Sequence, residues 1–185
     1  MQNSVAVVIL NWNGQKHLET YLPSVTAHSK NATIYLADND STDQSVQFVK
    51  EHYPEIKIIL NNENGGFAKG YNMCLQSLSE EYFVLLNSDV EVTPNWIDPV
   101  VNFMSNHSKV SIAQPKIKSY RDKDYFEYAG AAGGFIDFLG YPFCQGRIFQ
   151  SMEKDLGQYN ENKEVFWATG ACMFIKSAVF KALGG

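Results

Sequence analysis

The chain has 185 residues, which is enough for a single domain with a sizeable hydrophobic core. Its hydrophobic fraction of 45% and charged fraction of 19% are typical of a globular protein, and its net charge of −5 argues against a nucleic-acid-binding surface, which needs clustered Lys and Arg. The cysteines (Cys74, Cys144 and Cys172) are odd in number and widely spaced, and the first apolar run is too short for a signal peptide or a membrane span, so we expect a cytoplasmic protein.

The first half of the chain alternates between short apolar runs and stretches with helical periodicity. Residues 5–10 are continuously apolar, as expected for a parallel strand that is covered on both faces. Leu18, Leu22 and Val25 then recur at helical spacing. The pattern predicts strands at 5–10, 33–37, 56–60 and 82–86, and helices at 15–28, 42–52 and 67–78. Because each helix connects two strands, we predict right-handed crossovers and a mostly parallel α/β sheet flanked by helices.

The second half of the chain is less regular. Thr93 as an N-cap and Pro94 at the first helical position predict a helix over 94–104. Further predicted elements are strands at 110–113, 116–120 and 165–168 and a final helix at 177–183. Aromatic residues and glycines are concentrated between residues 120 and 167, and this stretch is interpreted either as a carbohydrate-facing surface or as a core aromatic cluster.

Polar clusters follow each of the four predicted strands of the first half, at residues 11–14, 38–43, 61–66 and 87–89. In open α/β sheets, ligands bind outside the carboxyl ends of the strands. Turns are also rich in Asn, Asp and Gly, so a single cluster is more often a turn. Four clusters at one edge of a sheet favour a binding site.

The usual nucleotide signatures are missing from these clusters. No G-x-G-x-x-G follows the first strand, and Tyr71 stands where a Walker A motif needs Lys. The tripeptide 87–89 offers an alternative, because the Asp89 carboxylate can hold Mg²⁺ or Mn²⁺ against a diphosphate. An N-capping turn explains the same tripeptide equally well.

The order and spacing of the clusters resemble family 2 glycosyltransferases, and the pattern is closest to the rhamnosyltransferase-like branch. That family has the nucleotide-diphospho-sugar transferase (glycosyltransferase A-type, Rossmann-like) fold. The resemblance is carried by residues 7–14, 37–43, 64–72, 85–89 and 168–185.

The resemblance implies which residues bind the nucleotide sugar and the metal. Asp89 matches the last position of the family's D-x-D motif and is the implied ligand of Mg²⁺ or Mn²⁺. The implied nucleotide-sugar-binding residues are Asn11, Trp12, Asn13, Asp38, Asn39, Asn64, Gly65, Phe67, Ala68, Asn72, Asn87 and Ser88.

Two positions depart from the family pattern. Asn87 occupies the first D-x-D position, so the metal site depends mainly on Asp89 and the diphosphate. Asn39 replaces the Asp with which many relatives accept the N3–H of the base. An amide oxygen can accept that bond, but without charge assistance. The preference between uracil and thymine is therefore open.

The resemblance also implies the reaction and the partners. The expected reaction is transfer of a sugar, with inversion, from a UDP- or dTDP-linked donor to a glycan or lipid-linked acceptor in polysaccharide or cell-surface glycan synthesis. It allows peripheral membrane association through the acceptor. Residues 1–185 are predicted to form one domain, with a nucleotide-binding half at 1–90 and a partial acceptor-side half at 91–185. In that family the general base lies in a segment that follows the position equivalent to Gly185. No catalytic residue is therefore assigned, and this chain alone is expected to be poorly active.

Two alternatives stay open. The first is that the chain is a non-catalytic nucleotide-sugar-binding module, either because it is a fragment or because it is a pseudoenzyme. A nucleotidylyltransferase of similar fold is the second alternative, but it should carry a Gly-rich, Arg-containing loop after the first strand, and residues 11–14 contain no Arg.

Overall fold

The computed structural model describes residues 3–128 and 130–185. Its strands are β1 (Val5–Asn11), β2 (Thr33–Asp38), β3 (Lys57–Leu60), β4 (Tyr82–Asn87), β5 (Ile112–Ala113), β6 (Gly134–Ile136), β7 (Pro142–Cys144), β8 (Arg147–Ile148), β9 (Ser151–Met152) and β10 (Cys172–Lys176). Its helices are α1 (Gln15–His28), α2 (Ser45–His52), α3 (Gly66–Leu75), α4 (Asp98–Asn106) and α5 (Ser177–Leu183).

The central feature is a six-stranded sheet in the order β3-β2-β1-β4-β10-β5. Strands β3, β2, β1 and β4 are parallel, with Ala6 of β1 opposite Thr33 on one side and Phe83 on the other. Strand β10 is antiparallel to both β4 and β5. The prediction of a mostly parallel sheet flanked by helices is confirmed.

Alternate residues of β1 point to opposite faces of the sheet and enter two separate cores. Val5, Val7 and Ile9 pack with α1 and α4 on one face. Ala6 and Val8 pack with α3 and α5 on the other face. Because both faces are covered, β1 is continuously apolar, as its sequence predicted.

Helix α4 begins later than predicted, at Asp98 instead of at position 94. The reason is Pro99, which lacks an N–H and would clash with the carbonyl of residue 95 inside a longer helix. A start at Asp98 keeps Pro99 in the first turn, where its missing N–H costs nothing. Asn95 instead adopts a left-handed turn conformation, with φ of 58°.

The other differences lie mostly in the second half. The predicted strands at 116–120 and 165–168 are only isolated bridges, Lys118 to Phe126 and Gly134 to Trp167. Strand β10 and the hairpins β6–β7 and β8–β9 were not predicted. In the first half, α2 begins three residues later and α3 ends three residues earlier than expected.

The aromatic stretch between residues 120 and 167 is divided between the two interpretations. Phe126 is fully buried, whereas Phe138 is 94% exposed and Phe149 is 88% exposed. None of the helices in the described residues is long and apolar enough to span a bilayer.

Candidate functional site

The loops that follow β1, β2, β3 and β4 meet at one edge of the sheet, which we call the carboxyl edge. Backbone hydrogen bonds continue the sheet ladder beyond the strands. The N–H of Asn39 donates to the carbonyl of Asn11 at 2.8 Å, and the N–H of Asn61 donates to the carbonyl of Asp38 at 2.8 Å. These bonds fix the residue at which each loop leaves the sheet.

A buried polar network joins the loops after β1 and β2. The Asn11 side-chain amide donates to the Asp38 carboxylate at 2.8 Å, to the Ser45 hydroxyl at 2.9 Å and to the Ser41 hydroxyl at 3.1 Å. The Asp38 carboxylate also accepts from the Ser41 hydroxyl at 2.6 Å and from the Ser41 N–H at 2.9 Å. Asn11 and Asp38 are both buried, so their side chains hold the loops in place.

The side-chain oxygen of Asn11 is buried and has no hydrogen-bond partner among the described residues. It points at Gly14, where an added Cβ would lie 2.5 Å from it. Real Cβ contacts are essentially never that short, so a larger residue at this position would have to displace the Asn11 side chain.

Asn13 ties the same two loops together at the surface. It adopts a left-handed conformation with φ of 49°, which Asn tolerates better than most residues. Its side-chain oxygen accepts from the N–H of Thr42 at 2.7 Å and of Asp43 at 3.2 Å. Trp12 precedes it and is 58% exposed.

The Asp43 carboxylate holds the start of α2. It accepts from the N–H of Gln15 at 3.1 Å and of Ser45 at 3.0 Å, and from the Ser45 hydroxyl. Burial acts to raise the pKa of Asp43, but these hydrogen bonds outweigh it and lower the pKa below its usual value. The ionised carboxylate is therefore the form that joins α1, α2 and the loop between β2 and α2.

A second amide network joins the loops after β2 and β3. The Asn39 amide donates to the carbonyl of Gly66 at 2.9 Å and to the Asn64 side-chain oxygen at 3.3 Å. Its oxygen accepts from the Asn61 amide at 2.7 Å. A Cβ at Gly70 would lie 2.6 Å from the Asn39 amide, so α3 approaches this side chain closely. Asn39 is 2% exposed and its hydrogen bonds are made within the protein.

Helix α3 also contacts the segment that flanks β10. The Phe67 ring lies against Gly170, where a Cβ would meet it at 2.4 Å, and it contacts the Tyr71 ring at a centroid distance of 4.9 Å. Asn72 lies against Gly185, where a Cβ would be 2.5 Å from its amide nitrogen. Residues 168–185 thereby close one side of the carboxyl edge.

The end of β4 carries the exposed Asp89 carboxylate. The N–H of Asn87 donates to the carbonyl of Ala171 at 3.0 Å, which anchors this strand end. The pKa of Tyr21 on α1 is raised by burial, by Tyr120 and by the negative charge of Asp89. Asp89 therefore lies within electrostatic reach of α1.

Asp89 is the candidate metal ligand at this edge. Within the described residues no group of three or more His, Cys, Asp or Glu side chains could hold a metal ion. Mg²⁺ typically takes only one or two carboxylates, with waters and substrate phosphates completing its ligands. The exposed Asp89 fits that kind of site.

The structure brings the predicted site residues together at the carboxyl edge but exposes them unequally. Asn11, Asp38 and Asn39 are buried; Gly65, Asn72, Asn87 and Ser88 are partly buried; Trp12, Asn13, Asn64, Phe67, Ala68 and Asp89 are exposed.

Sequence reasoning missed several residues of this edge. Ser45 gave no signal, because it reads as an ordinary helical position, yet it is fully buried in the Asn11 network. Ser41 and Asn61 belonged to the polar clusters but were not singled out. Tyr21 and Arg121 come from α1 and from a loop far along the chain, so only the fold brings them near Asp89.

Comparison with known proteins gives a family and several relatives. The family model described as "Glycosyl transferase family 2" matches residues 6–184. The whole chain is 25% identical to the N-acetylglucosaminyl-diphospho-decaprenol L-rhamnosyltransferase of Mycobacterium tuberculosis, of which it covers 65%. It is 23% identical, over 90% of its length, to the glycosyltransferase GlyG of Streptococcus pneumoniae, of which it covers 54%. The chain thus spans less than two thirds of the length of these relatives.

Solved structures show the same fold. The mannosyltransferase PcManGT of Pyrobaculum calidifontis, in complex with GDP-Man and Mn²⁺, aligns with a TM-score of 0.65 at 16% identity over 98% of this chain and 46% of its own. GalNAc-T7 with UDP, GalNAc and Mn²⁺ aligns with a TM-score of 0.69 at 19% identity over 98% of this chain and 36% of its own.

Proposed function

Because the chain belongs to glycosyl transferase family 2, we propose that it binds a nucleoside-diphosphate sugar at the carboxyl edge and transfers the sugar, with inversion, to an acceptor hydroxyl. The observation that carries the proposal is the meeting of four polar loops at this edge, at the strand ends where the polar clusters of the sequence predicted a site. The wider role is synthesis of a polysaccharide or cell-surface glycan.

The proposal divides the predicted residues by their exposure. The buried Asn11, Asp38 and Asn39 hold the loops in position, because their side chains make hydrogen bonds to the neighbouring loops. Exposed side chains remain for the nucleotide, and the half-exposed Trp12 ring offers a face on which a base can stack. The Asn13 side-chain oxygen accepts hydrogen bonds from the next loop, whereas its amide N–H groups take no part in those bonds and can donate to a nucleotide.

Asp89 is the residue that would hold Mg²⁺ or Mn²⁺ together with the donor diphosphate. When bound, such a metal supplies Lewis-acid stabilisation of the departing nucleoside diphosphate. Asn87 contributes an amide in place of a second carboxylate. PcManGT in complex with GDP-Man and Mn²⁺ and GalNAc-T7 with UDP, GalNAc and Mn²⁺ support this assignment.

The acceptor is proposed to approach from the 91–185 half, with the 1–90 half binding the donor. The exposed aromatic residues Phe138, Tyr141 and Phe143 of the β6–β7 hairpin are suited to sugar or lipid contacts, because their rings face solvent. The name of the mycobacterial relative includes a decaprenol diphosphate, which supports a lipid-linked acceptor.

The test is a calorimetric titration with UDP, dTDP and GDP, each with Mn²⁺ and with EDTA. We expect at least one of these nucleotides to bind more tightly with Mn²⁺. Asp89→Asn should remove the gain from Mn²⁺ and leave the weaker binding in EDTA unchanged. Glu55→Gln removes one negative charge from the loop between α2 and β3, at the opposite edge, and should behave as the original protein.

Two outcomes would contradict the proposal. If none of the three nucleotides binds, the carboxyl edge is not a donor site. If Asp89→Asn weakens binding equally in Mn²⁺ and in EDTA, Asp89 supports the fold of the loop and does not hold the metal.

A further inference from the structure

A turn from the second half of the chain is fixed beside the end of β4. The Tyr120 ring contacts the Tyr21 ring of α1 edge-on, at a centroid distance of 4.9 Å. The Lys123 ammonium pairs with the Glu91 carboxylate at 2.5 Å. The Ser119 hydroxyl accepts from the N–H of Asp122 at 3.2 Å and closes the turn. These contacts hold residues 119–123 next to the strand end that carries Asp89.

Arg121 lies between the two anchored residues of this turn and is exposed. Its guanidinium makes no hydrogen bond or ion pair within residues 3–128 and 130–185. Its positive charge partly offsets the effect of the Asp89 carboxylate on the pKa of Tyr21. Arg121 and Asp89 therefore both lie within electrostatic reach of the Tyr21 hydroxyl, although they are far apart in the sequence.

The carboxyl edge carries several negative charges, so a positively charged group would stabilise a bound diphosphate there. Carboxylates of Asp40, Asp43 and Asp89 lie in the strand-end loops, and a nucleoside diphosphate adds further negative charge. Lys69 is paired with Glu63 and Lys123 with Glu91, so these two ammonium groups are already engaged. A guanidinium is well matched to phosphate, because its planar N–H groups bind two oxygens at once.

We propose that Arg121 binds the diphosphate of the donor, as a second cationic group in addition to the metal that Asp89 would hold. This inference rests on the proposed function and adds a binding residue to it from the half of the chain assigned to the acceptor. With Asn87 in place of a second carboxylate the site would bind its metal more weakly, so the diphosphate depends more on the positive charge of Arg121. Because Tyr120 and Lys123 fix the turn, the guanidinium is held near the phosphates before the donor arrives.

The test compares Arg121→Gln and Arg121→Lys with the original protein. Titrations use UDP, dTDP and GDP in Mg²⁺, and then the corresponding nucleosides. Charge-assisted hydrogen bonds predict that Arg121→Gln binds the preferred nucleoside diphosphate roughly 10- to 100-fold more weakly. Arg121→Lys should recover part of the loss, and binding of the nucleoside should not change.

The matched control is Arg147→Gln, which removes the other arginine of the chain. The Arg147 guanidinium stacks over the Tyr128 ring at 4.0 Å, in the β8–β9 hairpin, and this variant should bind nucleotides normally. An arm with farnesyl diphosphate distinguishes the donor diphosphate from that of a prenyl-linked acceptor.

The outcomes separate this inference from the proposed function. If the original protein binds a nucleoside diphosphate and Arg121→Gln binds it equally well, Arg121 is not a donor ligand while the proposed function stands. A loss confined to farnesyl diphosphate would also overturn the assignment to the donor. If the original protein binds none of the nucleoside diphosphates, the proposed function and this inference both fail.

Discussion

At the residue scale, Asn11 connects most of the buried network, because its amide reaches Asp38, Ser41 and Ser45 at once. Its orientation is fixed, since a flipped amide would turn its oxygen toward the Asp38 carboxylate. The remaining oxygen then faces Gly14 with no space between them. The buried Asn11 side chain thus positions two loops and explains why glycine occupies position 14.

We predict that Gly14→Ala destabilises the protein. The new Cβ would have to displace the Asn11 side chain, and overpacking at a buried site costs about 1–3 kcal/mol. The measurement is the free energy of unfolding in urea. Lys16→Ala is the control, because Lys16 is exposed in the first turn of α1 and alanine suits a helix. Equal stability of the two variants would show that the Asn11 side chain moves aside at little cost in free energy, which would contradict the prediction.

At this scale the sequence predicts where the polar residues gather, but not which of them are buried. Strand ends rich in Asn and Asp placed the predicted site at the carboxyl edge, because parallel strands end together. The burial of each side chain could not be predicted. Asp38 ends one apolar strand and Trp12 follows another, yet Asp38 is 3% exposed and Trp12 is 58% exposed. Which polar group turns inward depends on partners such as Ser45 that the pattern does not mark.

At the element scale, the Asp43 carboxylate links the start of α2 to α1 through the N–H groups of Ser45 and Gln15. Helix α2 begins at Ser45, three residues after the predicted start, and the N–H groups of Thr42 and Asp43 that precede it donate to the Asn13 side chain. The late start of the helix is thus part of how the first two loops are joined.

We predict that the contribution of Asp43 to stability is lost in acid. Its pKa is lower in the folded than in the unfolded protein, so its stabilising effect is full above the unfolded pKa near 3.8 and disappears as the pH falls through the folded pKa. Asp43→Asn should therefore be less stable than the original protein at pH 6, with the difference shrinking below pH of about 4. Urea unfolding at several pH values, with Glu55→Gln as the control for charge, checks this. A difference that is constant with pH would contradict it.

The elements that were predicted well are those whose local pattern and tertiary environment agree. Strand β1 and helix α1 were found because a continuous apolar run and a helical stripe each match their burial. Strand β10 was not predicted, although residues 171–175 are continuously apolar, and it inserts antiparallel between β4 and β5. Such a pairing depends on long-range contacts that no local pattern contains.

At the scale of the whole molecule, the sheet divides the chain into a regular first half and a loop-rich second half that returns to the sheet through β10. The match to residues 6–184 confirms the resemblance to family 2 glycosyltransferases that the strand-end clusters predicted. The returning segment places Gly170 against Phe67, and the turn at 119–123 lies beside Asp89. The second half thus completes the carboxyl edge in addition to its proposed role toward the acceptor.

The most direct test of this account is a crystal structure of the protein with its preferred nucleoside diphosphate and Mn²⁺, with the metal located by its anomalous scattering. We predict Mn²⁺ at the Asp89 carboxylate, the diphosphate between Asp89 and Arg121, and the base beside Trp12 and Asn13. The account would be contradicted by a nucleotide in another place, such as the groove between residues 27–31 and 94–98.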